Sequence, residues 1–177
     1  IGQVLSAAVI AIAQGLIIAI IGMFMGMNLN IIQFAGMLLI MLLAGLTFSS
    51  AGLLLATISK NSTTFQIMMN ICTIPIMFLS GAYIPTTVIP KILIPLVYIN
   101  PLTYITSLFR YITLNMGNMS AAALVKSGVA FNINGFVIMP FMGLVITIIL
   151  YLILFMLCVK QFDKADFSSV KVFHHHN

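Results

Sequence analysis

The chain has 177 residues, of which 62% are hydrophobic and only 5% charged, with a mean hydropathy of +1.23 and a formal net charge of +5. A soluble domain carries about 25% charged residues, so the composition excludes a water-soluble globule. The Lys and Arg residues stand singly and form no patch, which suits anionic lipid headgroups and gives no ground for a nucleic-acid partner.

Crossing a hydrocarbon core of about 30 Å takes roughly 20 apolar residues in a helix, and four runs of that kind follow in order. The first is Val4 to Met25, broken only by Ser6 and Gln14. Ile1 already stands at its edge with no initiator Met and no basic n-region, which reads as the C-terminal part of a longer membrane protein or a processed chain rather than a signal peptide. The second run, Ile31 to Ile58, is long enough to tilt or to project beyond the bilayer. The third runs from Phe65 to Ile84 and contains Pro75, a kink by its missing N–H. The fourth runs from Phe136 to Val159, with Pro140 near its start. Each is expected to be a helix, because lipid offers no partners to backbone groups. The fold class is therefore all-α and integral to the membrane, one domain over 1–177 without a linker.

Between the third and fourth runs the pattern changes. Val88 to Ile99 is apolar but short and is interrupted by Pro90 and Pro95, so it reads as a segment that dips in and turns back, or lies at the interface. Asn100-Pro101 then supplies an N-cap and a proline at the first helical position. The helix it opens sets Leu102, Ile105, Leu108, Phe109 and Ile112 on one face, with Thr103, Thr106, Ser107, Arg110 and Thr113 largely on the other, the pattern of an interfacial amphipathic helix. Tyr83, Tyr98, Tyr104 and Tyr111 gather in this region as an aromatic belt does. A hairpin over about 86–115 results, followed by a polar outer loop over 115–135 with a helical turn at Lys126.

Sidedness follows from charge. The loop holding Lys60 and the tail 160–177, with Lys160, Lys164 and Lys171, fall on one side, which the positive-inside tendency makes cytoplasmic. Lys91, Arg110 and Lys126 fall on the other. The C-terminus is then cytoplasmic and residues 85–135 face outward.

Chemistry is limited by what the spans lack. Both acids, Asp163 and Asp166, lie in the tail, as do all three histidines, His174 to His176. A membrane protease or metalloenzyme draws on converging His, Asp, Glu or Cys, and an ion-coupled carrier on an ionisable group at mid-membrane. No phosphate-binding glycine loop is present either. No catalytic, cofactor or metal residue is assigned, and Cys72 and Cys158 in apolar segments read as small hydrophobes. The spans do carry uncharged polar stripes. Gln66, Asn70, Thr73 and Ser80 fall on one narrow helix face of the third span, fitting either a substrate path or dimer seam, or simple helix-to-helix hydrogen bonding. Small-residue pairs, Gly15-x-x-x-Ala19, Gly22-x-x-x-Gly26, Gly45-x-x-x-Ser49 and Gly52-x-x-x-Ala56, permit close helix approach. Arg110, the sole Arg, suits a lipid phosphate, a set of helix-end carbonyls, or a snorkelling anchor.

The string Phe78-Leu-Ser-Gly-Ala-Tyr-Ile-Pro85, then Ile89-Pro90, Asn100-Pro-Leu-Thr-Tyr104 and Leu108-Phe-Arg110, resembles the signature of the type-2 ABC exporter permeases, the ABC-2 membrane family. Leu46 to Ala56 and Lys60 to Phe65 are similar to the same family. The resemblance covers most of residues 40–115. It implies the last four of six spans, a re-entrant helical hairpin before the final one, and a multidrug- or antibiotic-exporter-like permease. It further implies a second permease copy or homologue, and a cytoplasmic ABC ATPase subunit that holds ATP and Mg. The main coupling helix would precede Ile1, leaving Lys60 as a secondary ATPase contact. On the same resemblance Ser80, Gly81 and Pro85 shape the outer end of the third span, and Pro90, Asn100, Pro101 and Arg110 shape the hairpin and gate. A drug or lipid exporter subunit in the plasma membrane is the leading expectation. A non-transporting membrane scaffold of the same fold is the alternative.

Overall fold

The computed structural model describes residues 2–26, 29–84, 88–133 and 135–173, with the side chains of residues 3, 4, 91 and 162–173 outside that description. Helices α1 (Gly2–Phe24), α2 (Ile31–Ile58), α3 (Ser62–Leu79) and α7 (Pro140–Phe173) hold the four long apolar elements, that of α7 being Pro140–Gln161. Between α3 and α7 come two short helices, α4 (Ile94–Ile99) and α5 (Pro101–Thr113). They are followed by α6 (Ala121–Lys126) and a small antiparallel pair, β1 (Phe131–Ile133) with β2 (Phe136–Ile138). The chain is an all-α multi-pass membrane protein with four candidate spans, the short ladder being its one departure among the described residues.

Helix α1 lies against α2 through small residues. Ala8 and Ala19 are buried, and a Cβ on Gly45 would come 2.9 Å from Ala11 Cβ and 3.2 Å from Ala8 Cα. Lipid tails are as apolar as leucine, so spans are held by close packing rather than by expulsion of water, and the missing side chain at Gly45 is what allows it. Gly15 meets the Met41 side chain in the same seam, whereas nothing lies within 4 Å of Gly52. In α2, Thr47 and Ser50 are buried, and their hydroxyls donate to the helix's own Leu43 and Leu46 carbonyls at 2.7 and 2.8 Å.

Helix α5 sits between α2 and α7. Ile105 and Leu108 pack on Ile40, with Ala44, Phe48, Ile112 and Leu144 around them. Tyr104 fills the space above Gly143 of α7, where a Cβ would come 3.0 Å from the ring, and joins Phe131 and Ile138. The sequence pattern predicts one face at the membrane surface, yet no residue of α5 is exposed. Its hydroxyl- and guanidinium-bearing face is turned to backbone carbonyls instead, as described below. The C-terminal end of α5 shares a cavity of about 880 Å³ with the α1–α2 turn, lined by residues such as Met23, Asn30, Gln33 and Thr113, which places both at one end of the bundle.

Helix limits differ most from the sequence-based expectation at the end of the third span and at both ends of the fourth. The third span ends at Leu79 instead of continuing to Ile84, because Ser80 donates its hydroxyl to Met77 O at 2.7 Å and Gly81 turns the backbone to φ 78°. The fourth begins at Pro140 rather than Phe136, residues Phe136–Ile138 being drawn into β2, and it extends past Val159. The expected polar loop over 115–135 is more built than its composition implies. Leu124, Val129 and Ala130 form a buried cluster with Tyr111, Met116, Val137 and Met139 packed on it.

Candidate functional site

The last carbonyls of a helix have no partner within it, and inside a bilayer water cannot supply one. At the end of α3 that deficit is met largely by one neighbouring helix. Asn100, the N-cap of α5, is 6% exposed and uses both ends of its amide: Oδ1 accepts from Leu102 N–H at 3.0 Å and Nδ2 donates to Ile76 O at 2.7 Å. One turn along, Thr103 donates its hydroxyl to Leu79 O at 3.4 Å. Further on, Arg110 Nη2 donates to Gly81 O at 2.8 Å. Ser80 closes the set by taking Met77 O and accepting from Ala82 N–H at 3.2 Å. The guanidinium also places positive charge at the negative end of the α3 dipole, where it is stabilising.

A second set of bonds fixes α5 to the outer layer. Ser107 donates to Val129 O, Tyr104 O–H to Tyr98 O at 2.6 Å, and Tyr98 O–H to Asn132 O at 3.2 Å. Phe131 stands edge-on to both tyrosines. Among the described residues no buried side-chain N or O lacks a partner.

The structure thus brings Ser80, Gly81, Asn100, Pro101 and Arg110 to one place. Pro90 stands apart and exposed, its carbonyl accepting from Leu93 N–H at 2.9 Å to open the turn Lys91–Leu93. Pro85 lies outside the described residues, as do the terminal histidines. The polar stripe divides. Ser80 is 1% exposed and belongs to the helix cap, whereas Gln66 and Asn70 are exposed and Thr73 half-exposed. No hydrogen bond within the described residues engages those three side chains. Lys60 is exposed next to Asn61, which caps α3 by accepting from Thr64 N–H at 2.7 Å. A shallow cavity of about 210 Å³ lies beside it, lined by Ala56, Ser59, Asn61, Ser62 and Phe65. Among the described residues no three His, Cys, Asp or Glu side chains gather in a metal-binding group.

Thr103 and Ser107 were placed on the right helix by the sequence pattern but given no task. The available signal was their position: two hydroxyls four residues apart, next to an N-cap Asn, in a helix too short to span. A third cavity, about 270 Å³ and largely apolar, lies between the α3 turn Pro75, Ile76 and Leu79 and the α4–α5 corner Leu96, Ile99, Asn100 and Pro101.

A family model described as ABC-2 type transporter matches residues 1–114. No curated protein and no solved structure matches the chain.

Proposed function

Since the chain belongs to the ABC-2 type transporter family, we propose that it is the permease subunit of an ATP-driven exporter that moves an amphipathic drug, lipid or similar substrate outward. The observation that carries this is the family match, joined to spans without a single Asp or Glu. An ion-coupled carrier uses such groups at mid-membrane, so the energy comes from a separate cytoplasmic ABC ATPase subunit that holds ATP and Mg. The chain itself acts as no enzyme, and it works with a second copy or homologue in the plasma membrane, its C-terminus cytoplasmic.

Within that frame α4 and α5 form the re-entrant hairpin. The packing of α5 along α2 supports this. Ile112 lies by Gly36 near the start of α2, while Ile105 and Leu108 lie on Ile40 with Ala44 and Phe48 close by. From Gly36 to Ala44 is about 12 Å of helix, a substantial part of the hydrocarbon depth. Ser80, Gly81, Asn100, Pro101 and Arg110 hold the hairpin to the third span as the outer gate, with Pro85 and Pro90 shaping its approach. Gln66, Asn70 and Thr73 line the substrate path or the seam with the second copy, because unpaired amides facing lipid are unfavourable. Lys60 is a secondary contact for the ATPase.

The test is transport by the full-length protein, reconstituted into vesicles with a co-purifying ABC ATPase subunit. The expected result is ATP-dependent accumulation of a lipophilic fluorescent drug, abolished by a hydrolysis-dead ATPase. Uphill accumulation without any ATPase would overturn the proposal, and stable assembly with no transport of any probe would favour a scaffold. A cysteine at exposed Pro90 is expected to react with impermeant thiol reagents from outside and one at Lys60 only from inside. Reversed labelling overturns the orientation.

A further inference from the structure

Helix α3 is attached to the rest of the molecule unevenly. Beyond Pro75 its carbonyls at Ile76 and Leu79, and Gly81 just after it, are held by side chains of α5 at 2.7, 3.4 and 2.8 Å. Before Pro75 the polar contacts among the described residues lie at the base, where Ser59 Oγ, which donates to Leu55 O at 2.6 Å, stands 3.6 Å from Met68 Sδ and Asn61 caps the first turn. No residue of α3 is buried along its whole length. Pro75 has no N–H to give to Ile71 O, and its ring crowds that carbonyl, so the helix is weakest in bending at that turn. The 270 Å³ cavity opens against the same turn, with Leu96 and Ile99 on its far wall. A close-packed interior resists displacement, whereas this turn has space on one side.

We propose that α3 is a two-part lever hinged at Pro75: residues Ile76–Gly81 move as one body with α4 and α5, and Ser62–Ile74 tilts independently, driven from the Lys60 loop at its base. This rests on the permease function for the source of the driving force, but the hinge itself is a property of the chain alone. The Asn100, Thr103 and Arg110 bonds are then what keep the outer end stationary while the inner segment moves. The exposed Gln66 and Asn70 ride on the moving part, and the buried Ser80 on the fixed part.

Spin-label distance measurements on the full-length protein in lipid nanodiscs test this, with Cys72 and Cys158 replaced by Ala and labelled copies diluted among unlabelled ones. One pair, at Leu39 and Ile67, reports the inner segment; the other, at Phe78 and Leu114, reports the outer, and all four positions are exposed. Pro75→Ala restores the missing helix bond and is expected to narrow the inner distance distribution about twofold while leaving the outer one unchanged. Asn100→Asp exchanges the donor to Ile76 O for an acceptor, and is expected to broaden the outer distribution only. An inner width unaltered by Pro75→Ala, or equal changes in both pairs, would overturn the hinge. Adding the ATPase and ATP tests the other premise: narrowing by Pro75→Ala without any nucleotide response leaves the hinge standing and removes the ABC drive.

Discussion

Helices α3 and α5 both carry Thr and other polar residues through an apolar environment, and they are treated in opposite ways. In α5, Thr103, Tyr104, Ile105, Ser107 and Leu108 are buried and no residue is exposed, with the polar members bonded to carbonyls of other elements. In α3 nothing is buried, and Gln66 and Asn70 meet no partner among the described residues. A polar group in a bilayer is costly unless paired. Where the buried polar groups are all paired inside the chain, the segment is structural support. Where pairing is incomplete, the proposed function assigns the missing partner to a second copy or a substrate.

The contrast is broken most severely by loss of packing in α5. Leu108→Ala removes a side chain that is 1% exposed and is expected to cost about 2–5 kcal/mol, read as a fall in thermal unfolding temperature in detergent. Asn100→Ala strands Ile76 O and Leu102 N–H together and is expected to cost about 2–3 kcal/mol. An unchanged unfolding temperature would show that water replaces the amide at this end of α3. Arg110→Met leaves Gly81 O to be satisfied elsewhere, with an expected loss of about 1–2 kcal/mol. Arg110→Lys, retaining charge but not the planar fork, should recover part of it. The smallest stability effect falls on the other side of the comparison. Asn70→Leu is expected to shift stability by less than about 0.5 kcal/mol while altering export, measured as ATP-dependent uptake into inverted vesicles. Unaltered export would return Asn70 to the status of an ordinary lipid-facing or helix-contact residue.

Much of this was legible from residue order. The four long apolar elements follow from run length, and α2 runs from Ile31 to Ile58 as its composition predicts. Asn100-Pro101 is a local signal, since an Asn cap and a proline at the first helical position act within one turn, and Asn100 caps α5 as expected. The glycine pairs behaved unequally because their use depends on what stands opposite: Gly45 meets the α1 backbone and Gly52 meets nothing. The amphipathic face of α5 was correctly divided by helical period. Its environment was not, because periodicity reports that a face is polar without saying whether water, headgroups or carbonyls lie against it.

Sequence alone therefore determined how many times the chain can cross the membrane, that Asn100-Pro101 opens a helix, and that no acidic side chain is available in its spans, since all three depend on local composition and the number of residues in a run. The tertiary structure decided which carbonyls Asn100, Thr103 and Arg110 engage, that Ser80 parts company with Gln66 and Asn70, and that residues 120–133 and 135–139 fold into a small layer over α5. Those outcomes depend on which elements meet across separations of 22 to 34 residues in contacts such as Ser107 with Val129 and Tyr98 with Asn132. Helical period and capping act within a turn or two, so no local pattern encodes such a meeting.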